Sequence, residues 1–261
     1  MKKRVLISIV LIFSVFFVFA GGKREEVVIR SVADLNGKRI GVQQGTTGEL
    51  YVQENVKNAK LSSFRSGIDA ALDLKNGAID AVVLDELPAK EIVSKNNDLM
   101  IVTDKFAREE YAIAVRKSDM ELLNSINTTI INMKRSGDYK KLVDAFMPTD
   151  GKIRIPKSEI ITSSKTIKLG TNATFPPFEY VEGKDIVGFD ISVGEKIAKD
   201  FDARLEVVNM SFDSLIPALS SGAIDFIAAG MSVTEERKKN VAFSIPYFES
   251  EQVIIVRKPK E

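Results

Sequence analysis

The chain has 261 residues, 44% of them hydrophobic and 28% charged, a composition that allows two modest globular domains. Lys and Arg total 37 against 36 Asp and Glu, a formal net charge of +1, so nothing in the balance favours a nucleic-acid partner. Cysteine and histidine are both absent. That excludes disulfides, an N-terminal lipid anchor on Cys, Ser-His-Asp or Cys-His catalysis, and zinc sites built from His or Cys.

Residues 1–20 read as an export signal. Lys2, Lys3 and Arg4 precede an apolar run over residues 5–19, broken only by Ser8 and Ser14. Val18 and Ala20 stand at the −3 and −1 positions of a peptidase site, with Gly21-Gly22 behind them. The run is short against the ~20 residues of a membrane span. An uncleaved N-terminal anchor is the competing reading, and both imply export.

Residues 39–42 predict a strand that opens into the polar loop Gln43-Gln44-Gly45-Thr46-Thr47-Gly48, followed by a helix from about Glu49. Ile68, Ala71 and Leu72 have helical spacing, Gly77 suits a left-handed cap after that helix, and residues 81–84 read as a buried parallel strand. Asp85 ends the strand and can cap the helix that holds Pro88 and Ser94. Residues 118–133 predict a long helix, with Ser118 as N-cap, Glu121 completing a capping box, and Leu122, Ile126, Ile130 and Met133 as the apolar face. A shorter helix over residues 138–146 follows Gly137. Residues 148–165, rich in Pro, Gly, Ser and Lys, read as a linker.

The plan then recurs. Residues 167–170 predict a strand leading into Thr171-Asn172-Ala173-Thr174-Phe175-Pro176-Pro177, then a hairpin and a helix from about Asp190. Ser221-Gly222-Ala223-Ile224-Asp225 repeats Asn76-Gly77-Ala78-Ile79-Asp80, again after an amphipathic helix (Leu215, Ile216, Leu219) and before an apolar strand. The rhythm is that of two open, mainly parallel α/β sheets, whose ligands sit beyond the carboxyl ends of the strands. Two such sheets face to face make a cleft.

At those loops the chain resembles the polar amino-acid-binding proteins of ABC importers, the extracellular solute-binding proteins of family 3. The matching words are Gly170-Thr171-Asn172-Ala173-Thr174-Phe175-Pro176-Pro177-Phe178-Glu179-Tyr180, Val187-Gly188-Phe189-Asp190, and Ala229-Gly230-Met231-Ser232-Val233-Thr234-Glu235-Glu236-Arg237. To these add Lys38-Arg39-Ile40-Gly41-Val42-Gln43-Gln44-Gly45-Thr46-Thr47 and Val83-Leu84-Asp85. The resemblance implies a two-lobed, type II periplasmic-binding fold and a circularly permuted order, since relatives begin with the segment found here from Ile167. It places a first lobe at residues 31–104 and a second at residues 106–258, including the linker. A single covalent crossing is expected near residues 104–110, with the second crossing a non-covalent contact between residues 27–30 and 253–257, and therefore a loose hinge.

An α-amino acid needs a fixed cation, a fixed anion and oriented backbone groups. The resemblance assigns the carboxylate to Arg237, whose guanidinium can make two parallel hydrogen bonds, and the ammonium to Asp85. By position alone Arg237 would be a solvated arginine in a Thr234-capped turn, and Asp85 a helix cap. Thr46 and Thr47 lie where a helix start receives a carboxylate; ordinary turn chemistry is the plain reading, and a phosphate loop lacks its lysine. Gly230 and Ser232 would add a carbonyl, an N–H and a hydroxyl. Phe175 and Phe212, otherwise core residues, would sandwich the ligand's side chain. Asn172, neutral where many relatives carry Asp, and Gln43 would meet an amide or guanidinium, with Glu179 and Tyr180 as weaker candidates.

The expected function is thus an extracytoplasmic, monomeric binding protein for a polar or basic amino acid such as arginine, lysine or glutamine. It would work without cofactor or metal and deliver to an ABC permease. An exported enzyme of the same fold, resembling cyclohexadienyl dehydratases, and an amino-acid-sensing ectodomain are the alternatives.

Overall fold

The structure, a computed structural model, describes residues 28–158 and 161–259; the export signal expected over residues 1–20 lies outside them. In chain order the first lobe contains β1 (Arg39–Gln43), α1 (Thr47–Asn55), β2 (Lys60–Phe64), α2 (Gly67–Lys75), β3 (Ala81–Asp85), α3 (Glu86–Ser94) and β4 (Leu99–Tyr111). The second lobe follows with β5 (Ala114–Val115), α4 (Met120–Ser136), α5 (Asp138–Phe146), β6 (Thr166–Thr171), β7 (Thr174–Phe175), β8 (Glu179–Glu182), β9 (Asp185–Val187), α6 (Phe189–Asp200) and β10 (Arg204–Asn209). Then come α7 (Leu215–Ser221), β11 (Phe226–Ile227), α8 (Glu235–Lys238) and β12 (Ala242–Phe243), and last β13 (Phe248–Arg257).

One five-stranded sheet runs β2-β1-β3-β13-β4 and the other β10-β6-β11-β5-β12. The two orders are the same pattern. In each, three parallel strands are followed by an antiparallel strand that arrives from the other half of the molecule. β3 explains itself: Ala81, Val82, Val83, Leu84 and Asp85 are all buried, and each large aliphatic side chain taken from water contributes about 1.5–3 kcal/mol. The carboxyl ends of β1 and β3 face those of β6 and β11, and the loops after these strands form the walls of the cleft.

Two expectations are corrected. β13 is the fourth strand of the first sheet, paired antiparallel with β3 (Val253↔Leu84, Ile254↔Val83) and with β4. Residues 248–257 therefore belong to the first lobe, not the second. The chain also crosses between lobes twice by covalent connection, between β4 and β5 and between β12 and β13. The cause is the run Val253-Ile254-Ile255-Val256, buried throughout, which requires a strand on each side. Residues 28–30 lie in no strand, so no terminal pair forms a crossing, and the loose hinge expected from it falls too. The crossings lie side by side: Phe248 pairs with Tyr111, the Tyr247 N–H donates to the Tyr111 carbonyl at 2.9 Å, and the Ser244 N–H to the Ile113 carbonyl at 2.9 Å.

Smaller differences are local. The long helix starts one residue late, at Met120, because Asp119 rather than Ser118 accepts the Leu122 N–H. The helix after the Gln43–Gly48 loop begins at Thr47, capped by Thr46. The linker has no regular element among its described residues, yet it is tied down, with Ser163 Oγ donating to the Asp202 carbonyl at 2.7 Å and Ser158 Oγ to Glu195 at 2.5 Å.

A bulge in β4 decides which side chains reach the cleft. Gln252 faces Phe106 and Glu251 faces Arg108, which leaves Ala107 as the extra residue with φ +49°. An extra residue reverses which face later side chains occupy. Glu109 and Tyr111 consequently face inward.

Candidate functional site

The first-lobe wall is made by strand ends. β1 delivers Gln43, buried at 2% exposure. Beyond it Gly45, at φ +77°, brings its backbone against Asp213 of the second lobe; an added Cβ would lie 3.0 Å from the Asp213 Cβ. Thr46 accepts the Glu49 N–H and donates to the Gln43 carbonyl at 2.7 Å. Asp85 closes β3. It occupies the N-cap position of α3, yet its side chain makes no capping bond. Its Oδ1 instead accepts the Tyr111 hydroxyl at 2.5 Å. Burial, and then the charge of Glu109, push the Asp85 carboxyl up to about 7.

The second-lobe wall carries Asn172, Phe175, Phe212, Gly230, Ser232 and Arg237. Arg237 is 8% exposed, which removes the solvated-arginine reading. Thr234 caps its helix by accepting the Arg237 N–H at 3.1 Å. The guanidinium lies 5.3 Å from the Phe212 ring centroid. It donates to the Ser232 carbonyl at 2.7 Å and, across the cleft, to the Gly45 carbonyl at 2.9 Å. Burial pulls its pKa down, against the pull of Glu109 and Asp85.

Nine of the ten leading candidates from the sequence line one small cavity: Gln43, Thr46, Thr47, Asp85, Asn172, Phe175, Phe212, Gly230 and Arg237. Ser232 lies beside it, its carbonyl on Arg237. The free volume is about 10 Å³, room for a single water, because the walls touch. Gln43 Nε2 reaches Asn172 Oδ1 at 2.8 Å, and Asn172 Nδ2 donates to the Met210 carbonyl at 2.8 Å. A larger hollow of about 470 Å³ lies on the outside of the second lobe, lined by α5, α6 and linker residues such as Pro156 and Lys157. Its Lys141–Asp138 pair, at 2.7 Å, is open to solvent, whereas the cleft buries Asp85 and Arg237.

Gln43 Oε1 is an acceptor to which nothing donates, and behind it the carboxyls of Glu179 and Asp190 share a hydrogen bond. Glu179, only a weak candidate by sequence, lines the cavity and is fully buried. Burial and then the neighbouring Asp190 charge raise its pKa well above the ordinary carboxylate range. Asp190 accepts the Gly230 N–H at 2.8 Å and the Tyr247 hydroxyl at 2.6 Å, and burial holds it at about 6. Tyr180 is not among the lining residues.

Sequence reasoning missed Glu109. Its Oε2 accepts the Thr47 hydroxyl at 2.9 Å and also the Ser232 hydroxyl, and its Oε1 accepts Gln252 Nε2 at 3.0 Å. No local signal marked it: in Arg108-Glu109-Glu110 it reads as one charge in a solvated run, and only the bulge at Ala107 turns it inward.

Residues 167–261 match the model of the family described as bacterial extracellular solute-binding proteins, family 3. Over 97 residues the chain is 42% identical to the arginine-binding extracellular protein ArtP of Bacillus subtilis (strain 168), covering 37% of this chain and 38% of ArtP. It is 33% identical over 129 residues to the L-cystine-binding protein TcyJ of Escherichia coli (strain K12), covering 49% and 48%. A solved structure of an ancestral arginine-binding protein bound to arginine is 52% identical, covers 32% of this chain and 37% of that one, and has a TM-score of 0.31. The chain therefore spans less than half the length of these curated relatives.

Proposed function

We propose that this chain, whose residues 167–261 match the bacterial extracellular solute-binding proteins of family 3, is an exported protein that captures a free polar or basic L-amino acid between its lobes and hands it to an ABC permease. The observation that carries the proposal is the pairing of a buried cation, Arg237, with a buried anion, Asp85, on opposite walls of one cleft. Arg237 would take the carboxylate and Asp85 the ammonium. Thr46, Thr47, Gly230 and Ser232 would supply hydroxyls and backbone groups, and Phe175 and Phe212 the walls for the ligand's side chain. Gln43 Oε1, an acceptor to which nothing in the structure donates, favours a side chain that carries donors, as those of arginine and glutamine do. Both walls come from one chain, which supports a monomer.

The permuted segment order belongs to the same reading. β13, from the segment that leads in relatives, completes the first sheet, while residues 148–165 join what would be the family's old ends.

Thermal-shift screening with the twenty amino acids tests the proposal. A ligand at 100 times its Kd adds about 2.7 kcal/mol to stability. Arg237→Ala and Asp85→Ala should each abolish the shift, and a shift kept by both variants refutes the site. A second reading, an exported enzyme of the same fold, is favoured by one observation: a carboxyl near 7, as at Asp85, is poised for general acid–base work. Turnover of prephenate or arogenate would decide for it.

A further inference from the structure

Two of the hydroxyls assigned to the incoming amino acid, those of Thr47 and Ser232, already have a carboxylate partner within the chain. Thr47 opens α1 in the first lobe, and Ser232 sits on the second-lobe wall. Both donate to the same oxygen of Glu109, which rises from β4 beside the crossing between lobes. The other oxygen is fixed by Gln252 of β13, the strand of the second crossing. Gln252 is fully buried, so the carboxylate stands on a rigid base. Glu109 has Asp85 and Arg237 as electrostatic neighbours. It therefore sits among the groups that would meet the ligand's two charges, and it makes an acid's hydrogen bonds there.

We propose that Glu109 is a built-in stand-in for the amino acid: it latches the first lobe to the second through Thr47 and Ser232, and an entering amino acid must displace it. The proposal rests on the reading of the cleft as an amino-acid site. Charge-assisted hydrogen bonds such as these are the strong ones. Ser232 is held beside β4 by backbone bonds on either side, Val233 N–H to the Glu110 carbonyl at 2.9 Å and Ala112 N–H to the Met231 carbonyl at 3.1 Å. Glu109 therefore grips the second-lobe wall at the crossing and, through Thr47, ties it to the first. Bonds that favour one arrangement of the lobes bias the molecule toward it. The latch lowers the fraction of molecules able to admit ligand, and the apparent affinity falls by that fraction. Glu109 is thus a positioning residue that sets how readily the cleft opens.

The test uses Glu109→Gln, which keeps shape but gives the two hydroxyls a weaker partner, and Glu109→Asp, which keeps charge but is one methylene too short to reach both. Small-angle scattering of ligand-free protein is the first measurement. Both variants should show a larger radius of gyration than wild type and an open population increased by about tenfold. The association rate with L-arginine, by stopped flow, should rise by a comparable factor. An unchanged radius in both variants overturns the latch, as does a slower association with unchanged radius, which would make Glu109 a ligand of the ammonium instead. If Glu109→Gln fails to fold, Glu109→Asp alone decides by the same two measurements. Scattering needs no ligand, so wild type that binds no amino acid refutes the proposed function separately.

Discussion

Replacing Asp85 by Asn should stabilise the protein above neutral pH while abolishing capture. Asp85 has a raised folded-state pKa of about 7, against 3.8 for an unperturbed aspartate. Between those values the unfolded chain has lost its proton and the folded chain has kept it. The folded state then binds more protons, so stability falls as pH rises through this window. A shift of one unit is 1.36 kcal/mol; the cost of keeping Asp85 rises from about 1 kcal/mol at pH 4.5 to about 4 kcal/mol at pH 8. Asn cannot ionise, and its Oδ1 can still accept the Tyr111 hydroxyl. Whatever fixed cost the amide adds, the difference between variant and wild type should widen by about 3 kcal/mol from pH 4.5 to pH 8. For a chain of this size that is a relative gain of roughly 6–12 °C in Tm. Differential scanning fluorimetry at half-unit pH steps, on ligand-free protein, measures it. Parallel Tm curves for the two proteins across that range would refute the assignment of this buried, titrating carboxyl.

Binding should be linked to the same proton. An ammonium needs Asp85 ionised, so affinity for L-arginine is expected to fall by up to about tenfold per unit below pH 7. Calorimetry at pH 6 in buffers of different ionisation enthalpy should show about one proton released, and a buffer-independent heat would contradict it. Arg237→Lys keeps the charge but loses the planar fork and the stack on Phe212; a loss of at least about 100-fold in affinity is expected by titration, and a change below threefold would remove Arg237 from the carboxylate. Gly230→Ala places a Cβ 2.7 Å from Phe175 Cε1 at φ +52°. It should cost about 1–2 kcal/mol by urea melting, and wild-type stability in the variant would mean that Phe175 is free to move.

Much of the site is legible in the sequence because its pieces are strand ends. Gln43, Asp85 and Asn172 each sit just past or at the end of an apolar run, where an open α/β sheet presents its ligand groups. Arg237 is legible only through the resemblance, since its Thr234-capped turn by itself reads as a solvated arginine, and its burial depends on Phe212 and on Gly45 of the other lobe. What escapes is set by contacts far apart in the chain. Glu109 meets Thr47 across 62 residues, Ser232 across 123 and Gln252 across 143, and a single bulge residue decides its face. The run at residues 253–256 announces a buried strand but not its neighbours. By sequence it reads as half of a non-covalent crossing with residues 27–30, whereas its pairing is with β3 and β4. Asp119 and Ser118 are both good caps, and only the helix's docking chooses between them.

The two crossings run as adjacent ribbons, β4 into β5 and β12 into β13, joined by backbone hydrogen bonds at Tyr111–Tyr247 and Ile113–Ser244. Paired straps bend across their common plane and resist shear and twist, so the lobes share one axis and one path. The tyrosines of this pivot reach in opposite directions, Tyr111 to Asp85 of the first lobe and Tyr247 to Asp190 of the second. The axle of the movement is therefore bolted to the acids of both walls. If the chain captures a ligand as proposed, each closure would return the same groups to the same register, a motion along a single coordinate with no search over orientations of one lobe against the other.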